Sequence, residues 1–172
     1  MANEARPARR RRPLVIGWRE RVDLPEWGIA GISAKSDTGA RSTALDVSHI
    51  EERPGNRVHF EVAVDREHPD ARVPVECDIS RRAIVKSSLG NPHERIFVKT
   101  VVLIGRLRIR TEVGLVDREG MQCRMLLGRR TLAGRFLVDS KSTHLLDGLR
   151  ADPDRDPERD PDRDPGRGDA GA

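Results

Sequence analysis

Ala34-Lys35-Ser36-Asp37-Thr38-Gly39-Ala40-Arg41 is the stretch on which the reading of the chain turns. Ile29, Gly31 and Ile32 lead into it with the spacing of a strand, so Asp37 falls at a strand end and Thr38-Gly39 makes the turn that follows. Gly39 is expected to supply backbone geometry closed to other residues and to let a second chain or a substrate approach, while Thr38 can hydrogen-bond locally. A lone carboxylate on such a turn is a poor acid or base in water. Two that share one proton can do both jobs, because like charges about 3 Å apart cannot both ionise cheaply. The chain holds one Asp-Thr-Gly, so a second carboxylate of this kind has to come from another copy of it. Taken alone the tripeptide is also a common turn, and both readings stay open at this point.

Around this turn the dominant period is two. Val58, Phe60, Val62 and Val64 alternate with His59, Glu61 and Ala63, and Val73, Val75, Cys77 and Ile79 repeat the pattern, which predicts strands with one buried face. Ile96, Val98, Val102 and Ile104 run into Gly105-Arg106, after which Leu107, Ile109, Val113 and Leu115 resume the alternation; this predicts a long hairpin. Helical patterning is confined to Arg129 to Leu132, closed by Gly134. With 3 Phe, 2 Trp and no Tyr, the core has to be built from Val, Leu and Ile. The expected class is all-β and mainly antiparallel, a small barrel with one short C-terminal helix.

Both ends read as appendages to a domain spanning residues 14–150. Residues 1–13 carry five arginines against Glu4, with no apolar stretch after them that could serve a secretory signal. Residues 151–172 repeat Asp-Pro-Asp-Arg with small variations and a net charge of −4, a pattern that cannot bury a core and is expected to stay disordered. The two charged ends cancel, so the overall +4 belongs to the domain. Arg9 to Arg12 could touch RNA, although a solvated run is the simpler account. No segment approaches the roughly 18 apolar residues of a membrane span. Cys77 and Cys123 stand 46 positions apart without a CxxC partner, which fits buried thiols in the cytoplasm better than a disulfide or a zinc site.

About ninety residues after the turn comes Met125-Leu126-Leu127-Gly128-Arg129, followed by Arg130-Thr131-Leu132. An Asp-Thr-Gly-Ala turn accompanied toward the C-terminus by two apolar residues, Gly and Arg resembles the retropepsin-type aspartic proteases. The likeness extends through Ile16-Gly17-Trp18-Arg19-Glu20, Arg41-Ser42-Thr43-Ala44-Leu45, Lys86-Ser87-Ser88-Leu89-Gly90, Asp117-Arg118 and Gly134-Arg135-Phe136-Leu137-Val138-Asp139. Together these resemble one bacterial family, named ATP-dependent zinc proteases or ribosomal-modification-associated proteases, whose members often accompany or are fused to ATP-grasp glutamate ligases.

The resemblance implies a retropepsin-like barrel and a homodimeric peptidase with one catalytic Asp37 per chain. Thr38, Gly39 and Ala40 would form the active-site turn, with Leu126, Leu127, Gly128 and Arg129 supporting it. It also implies a protein or peptide substrate, such as a glutamate-modified ribosomal protein, and a link to an ATP-grasp glutamate ligase. Arg41, Lys86, Ser87 and Ser88 are candidate substrate contacts, and the Ser87 to Glu94 loop is the candidate lid; Arg41 and Lys86 read equally well as solvated charges, and Glu94 with Arg95 as an ordinary surface pair.

The family's name and its motif point to different chemistry. A zinc peptidase needs about three His, Cys or carboxylate ligands, often from His-Glu-x-x-His, whereas His49, His59, His68, His93 and His144 are scattered singly. Asp46 stands where many members have a histidine, and no Gly-x-x-x-x-Gly-Lys stretch offers an ATP site. The expectation is therefore an aspartic dyad without a metal or other cofactor. A noncatalytic peptide-binding module of the same fold, or a zinc peptidase as the family name implies, are the alternatives. Ser36 departs from the apolar residue usual before the aspartate.

Overall fold

Branched apolar residues alternating with charge cover one face of a strand, and that pattern recurs along almost the whole described chain. The computed structural model describes residues 12–64, 71–86, 92–117 and 123–150. The expectations for both charged ends, for Ser87 and Ser88, for the tip of the candidate lid and for the Lys86 side chain lie outside the described residues.

The strands are β1 (Leu14–Leu24), β2 (Ile29–Ser36), β3 (Thr43–Arg53), β4 (Arg57–Ala63), β5 (Arg72–Lys86), β6 (Pro92–Ile104), β7 (Leu107–Val116), β8 (Met125–Leu127) and β9 (Phe136–Thr143), with one short helix, α1 (Arg129–Leu132). They form a sheet in the order β4-β5-β6-β7-β3-β8-β2-β1-β9, and further pairings of β4 with β3 and of β6 with β1 fold that sheet back on itself. Closure of this kind leaves few open strand edges. The fold is all-β with one short helix, as the alternation predicts.

The predicted hairpin is β6–β7, in register from Ile104↔Leu107 to Phe97↔Gly114 and turned at Gly105, whose φ is +57°. Three pairings are parallel, which alternation alone does not encode: β1 with β9, β2 with β8 and β3 with β7. β8 is only three residues long, yet it lies parallel to β2 on one side and antiparallel to β3 on the other.

The core is Val, Leu and Ile around Phe60 and Phe97, with Trp27 meeting Phe60 edge to face at 5.5 Å. One buried charge is held deliberately. Glu20 is wholly buried and accepts the amides of Gly17 at 2.6 Å, Leu145 at 3.0 Å and Leu146 at 3.2 Å, so a carboxylate inside the fold ties the last described segment to β1. Asp23 adds a second tie, accepting from the Gly31 amide at 2.7 Å and from Arg150.

Candidate active site

Asp37 leaves the end of β2 with its own amide donating to the Leu127 carbonyl at 3.0 Å, so β8 carries the ladder one residue past the strand. The chain then doubles back, and Asp37 Oδ1 accepts the amides of Gly39 and Ala40, both at 3.0 Å. A short acidic side chain closing on the backbone two and three residues later makes a rigid turn. Oδ2 carries no hydrogen bond to a described residue, and Asp37 lines a cleft of ≈850 Å³.

Gly39 works differently from expectation. Its φ lies outside the left-handed region, and its missing side chain matters because a Cβ there would sit 3.2 Å from Asp37 Oδ1. Thr38 is exposed, and its carbonyl receives Arg129 Nη1 at 3.5 Å.

Beneath the turn lies a set of backbone and hydroxyl contacts. The amides of Arg129 and Arg130 donate to the carbonyls of Ala40 and Arg41 at 2.9 and 3.2 Å. The Gly128 amide donates to Thr43 Oγ1 at 3.2 Å, Thr43 Oγ1 lies 2.7 Å from Thr131 Oγ1, and Thr131 Oγ1 lies 3.1 Å from Thr111 Oγ1. Buried hydroxyls that satisfy one another and a backbone amide hold a fixed geometry more strictly than apolar packing does. Ser36, the departure noted before the aspartate, donates through Oγ to the Gly17 carbonyl at 2.9 Å, tying β1 to the strand that carries Asp37.

The expectation that Leu126 and Leu127 both pack under the turn is corrected. Alternation sends them to opposite faces: Leu127 is wholly buried, whereas Leu126 is half-buried and lines the cleft. Arg41 is exposed on the cleft rim and has no ion-pair partner among the described residues.

Sequence reading missed the far wall. Arg81, Ala83, Ile84 and Val85 of β5, with Arg95 and Phe97 of β6, face the same cleft as Asp37, and Arg130 of α1 joins them. Arg95, the neighbour of Glu94, is thus also a cleft residue. The guanidinium of Arg81 stacks 3.7 Å from the Phe97 ring centre, directly across the β5–β6 pair. Glu112 of β7 accepts from Arg81 Nε at 3.1 and 3.3 Å, from Ser80 Oγ at 2.8 Å and from Arg130 Nη1 at 3.4 Å. Burial pushes the Glu112 carboxyl up, but the bonds from Ser80 and Arg81 and the charges of Arg81 and Arg130 together hold it below its ordinary value. The antiparallel β5–β6 register places Arg81 opposite Phe97 and Ala83 opposite Arg95, a pairing that alternation within each strand does not specify.

Among the described residues no group of three or more His, Cys, Asp or Glu could hold a metal. Asp46, at the position where a histidine ligand was considered, is buried against Arg124 at 2.8 Å. Cys77 and Cys123 are both free; Cys123 is buried as expected, while Cys77 is only half-buried, with burial pushing its thiol up to about 11.

An Asp-Thr-Gly turn braced by an inserted strand and a Gly-Arg helix start, in a closed β-sheet, is the arrangement of the retropepsin-like aspartic peptidases. The family model for RimB-like proteins, described as retropepsin-like aspartic endopeptidase RimB, matches residues 15–147, and the chain belongs to this family. That description carries neither the zinc nor the ATP of the name suggested by the resemblance.

Two curated relatives are named probable alpha-L-glutamate ligase. The protein from Desulfotalea psychrophila is 33% identical over 133 residues, 73% of this chain and 28% of its own length. The protein from Parasynechococcus marenigrum is 28% identical over 144 residues, 82% of this chain and 31% of its own length. The chain therefore spans less than a third of these relatives. The crystal structure of a Legionella pneumophila protein of unknown function superposes with a TM-score of 0.64 at 23% identity, covering 77% of this chain and 98% of that one, a likeness of fold. Among the described residues no helix is long and apolar enough to cross a membrane.

Proposed function

We propose that the chain is an aspartic peptidase that works as a homodimer, each copy supplying one Asp37. The observation that carries this reading is the state of that carboxylate: Oδ1 is held by the Gly39 and Ala40 amides, while Oδ2 has no partner among the described residues, in a residue that lines the cleft. Two such groups would share a proton and hold one water between them. One carboxylate takes the water's proton as the oxygen attacks the amide carbon, and the other protonates the carbonyl oxygen. Thr38 and Gly39 of the two copies would lie against each other and keep the carboxylates close. No step is assigned to a metal or to any other cofactor.

The substrate we propose is a protein or peptide bearing glutamate, such as a glutamate-modified ribosomal protein. Arg41, Arg81, Arg95 and Arg130 line the cleft against Asp37 and Asp46, and an excess of one sign along a concave wall favours ligands of the other. Lys86 continues β5 toward the same region by sequence. The curated relatives are named as glutamate ligases, and a hydrolase acting on amides of glutamate is the chemical counterpart of that activity. Free Cys77 and Cys123 fit a reducing compartment, and we place the protein in the cytoplasm.

Incubation of the purified chain with a glutamate-rich peptide tests the reading by mass spectrometry of the products. We expect cleavage that resists chelators, and a loss of at least about a hundred-fold in rate for Asp37→Asn. Sedimentation should show the variant dimeric, like the wild type. Undiminished cleavage by Asp37→Asn, or loss of cleavage on chelation, would overturn the aspartic mechanism.

A further inference from the structure

We propose that Arg81 and Arg130, posed by Glu112, form a carboxylate-binding subsite that gives the cleft its preference for acidic side chains; this rests on reading that cleft as the substrate site. The two guanidiniums reach it from different elements, Arg81 from β5 and Arg130 from α1. Left alone, two like charges on flexible stems would spread apart into water. Glu112 stands between them, accepting from Arg81 Nε at 3.1 Å and from Arg130 Nη1 at 3.4 Å, and Ser80 Oγ fixes its other oxygen at 2.8 Å.

Phe97 completes the arrangement. The Arg81 guanidinium carbon lies over its ring, which is 2% exposed, 3.7 Å from the ring centre, so the ring face attracts the cation and shields it from water on that side. Because Glu112 takes Nε, the terminal nitrogens of Arg81 are left without a hydrogen bond to any described residue. Two cations share one carboxylate, so a positive charge remains for a ligand. A planar fork with two free donors is the geometry that binds a carboxylate through both oxygens. A side-chain amide of the same shape presents one oxygen and an NH2, and it loses both the charge and one of the two acceptors. Glu112 is the positioning residue of this subsite, and Arg81 is the group that touches the ligand.

Fluorescence anisotropy with the full-length Asp37→Asn chain tests this without relying on catalysis. The probes are a labelled oligoglutamate peptide and the oligoglutamine peptide of equal length. We expect oligoglutamate to bind at least about ten-fold tighter, and Arg81→Met to remove most of that preference while oligoglutamine binding is unchanged. Glu112→Gln should reduce the preference about three-fold or more, because Arg81 and Arg130 keep their charges but lose the carboxylate that holds them together. If Arg81→Met fails to fold, Arg81→Lys serves: charge alone should not restore the preference. Equal binding of the two peptides, or a preference unchanged in the Arg81 variant, would overturn the subsite. Oligoglutamate bound selectively but never cleaved by the wild-type chain would leave the subsite intact and remove the peptidase reading instead.

Discussion

A Cβ placed on Gly128 would lie 2.4 Å from both the carbonyl carbon and the carbonyl oxygen of Ser42. The residue after β8 and the loop after the Asp37 turn are therefore in direct backbone contact, and the glycine is what allows it. Flexible side chains yield to such a clash, whereas backbone hydrogen-bonded on both sides does not. Gly128→Ala should therefore lower stability by about 1–3 kcal/mol and loosen the turn that aims Asp37. Urea unfolding checks the first effect, and amide exchange at Gly39 and Ala40 checks the second; a variant with wild-type protection at those amides would show that the turn does not depend on this contact.

Glu20 presents the complementary case, a charge that stability depends on. Its two oxygens accept three backbone amides inside the fold, and glutamine would leave one oxygen and turn an NH2 group toward donors. Glu20→Gln should cost about 1–3 kcal/mol. The change should appear first as faster exchange at Leu145 and Leu146, with the Gly39 and Ala40 amides still protected. Uniform loss of protection along the chain would mean that Glu20 holds the whole fold and not that segment.

The lowered Glu112 carboxyl makes a pH prediction whose sign follows directly. A carboxyl depressed in the folded chain stabilises it above the unfolded-state value, and the contribution fades as pH falls through the depressed value. The stability advantage of wild type over Glu112→Gln should be constant near neutrality and shrink in acid, below pH ~4. Urea midpoints measured across pH test this. An advantage that grew on acidification would contradict the pairing with Arg81 and Arg130.

Gly114 stands directly opposite Phe97 in the β6–β7 pair, and a Cβ there would come within 2.7 Å of Arg95 Cδ and 3.0 Å of Phe97 Cε1. Arg95 has a flexible stem and can move aside. The buried Phe97 ring has less freedom, and Arg81 is stacked on it. Gly114→Ala should cost about 1 kcal/mol or more in stability and also weaken the preference for oligoglutamate over oligoglutamine. Retained preference in a folded Gly114→Ala chain would show that the ring does not seat Arg81.

Much of the fold was legible because strand alternation is a local property. The β6–β7 hairpin, β4, the Val73 to Ile79 part of β5 and the Arg129–Leu132 helix all follow from short-range spacing and turn residues. What spacing does not carry is direction and partner. The parallel pairings of β2 with β8 and β3 with β7 join segments tens of residues apart.

Asp37 and its turn could be named from turn chemistry, and the Leu126-Leu127-Gly128-Arg129 segment from its resemblance to the retropepsin-type proteases. Only the tertiary structure decided that Arg81, Phe97 and Arg130 line one cleft with that carboxylate and that Glu112 joins the two arginines. Their contacts depend on strand register and sheet closure, and charged residues alternating along a strand look the same in sequence whether they face a cleft or bulk water. Nor does the sequence distinguish Glu20 from the chain's other acids: a carboxylate is stable in a core only where several donors converge on it, and that convergence exists only once the chain has folded.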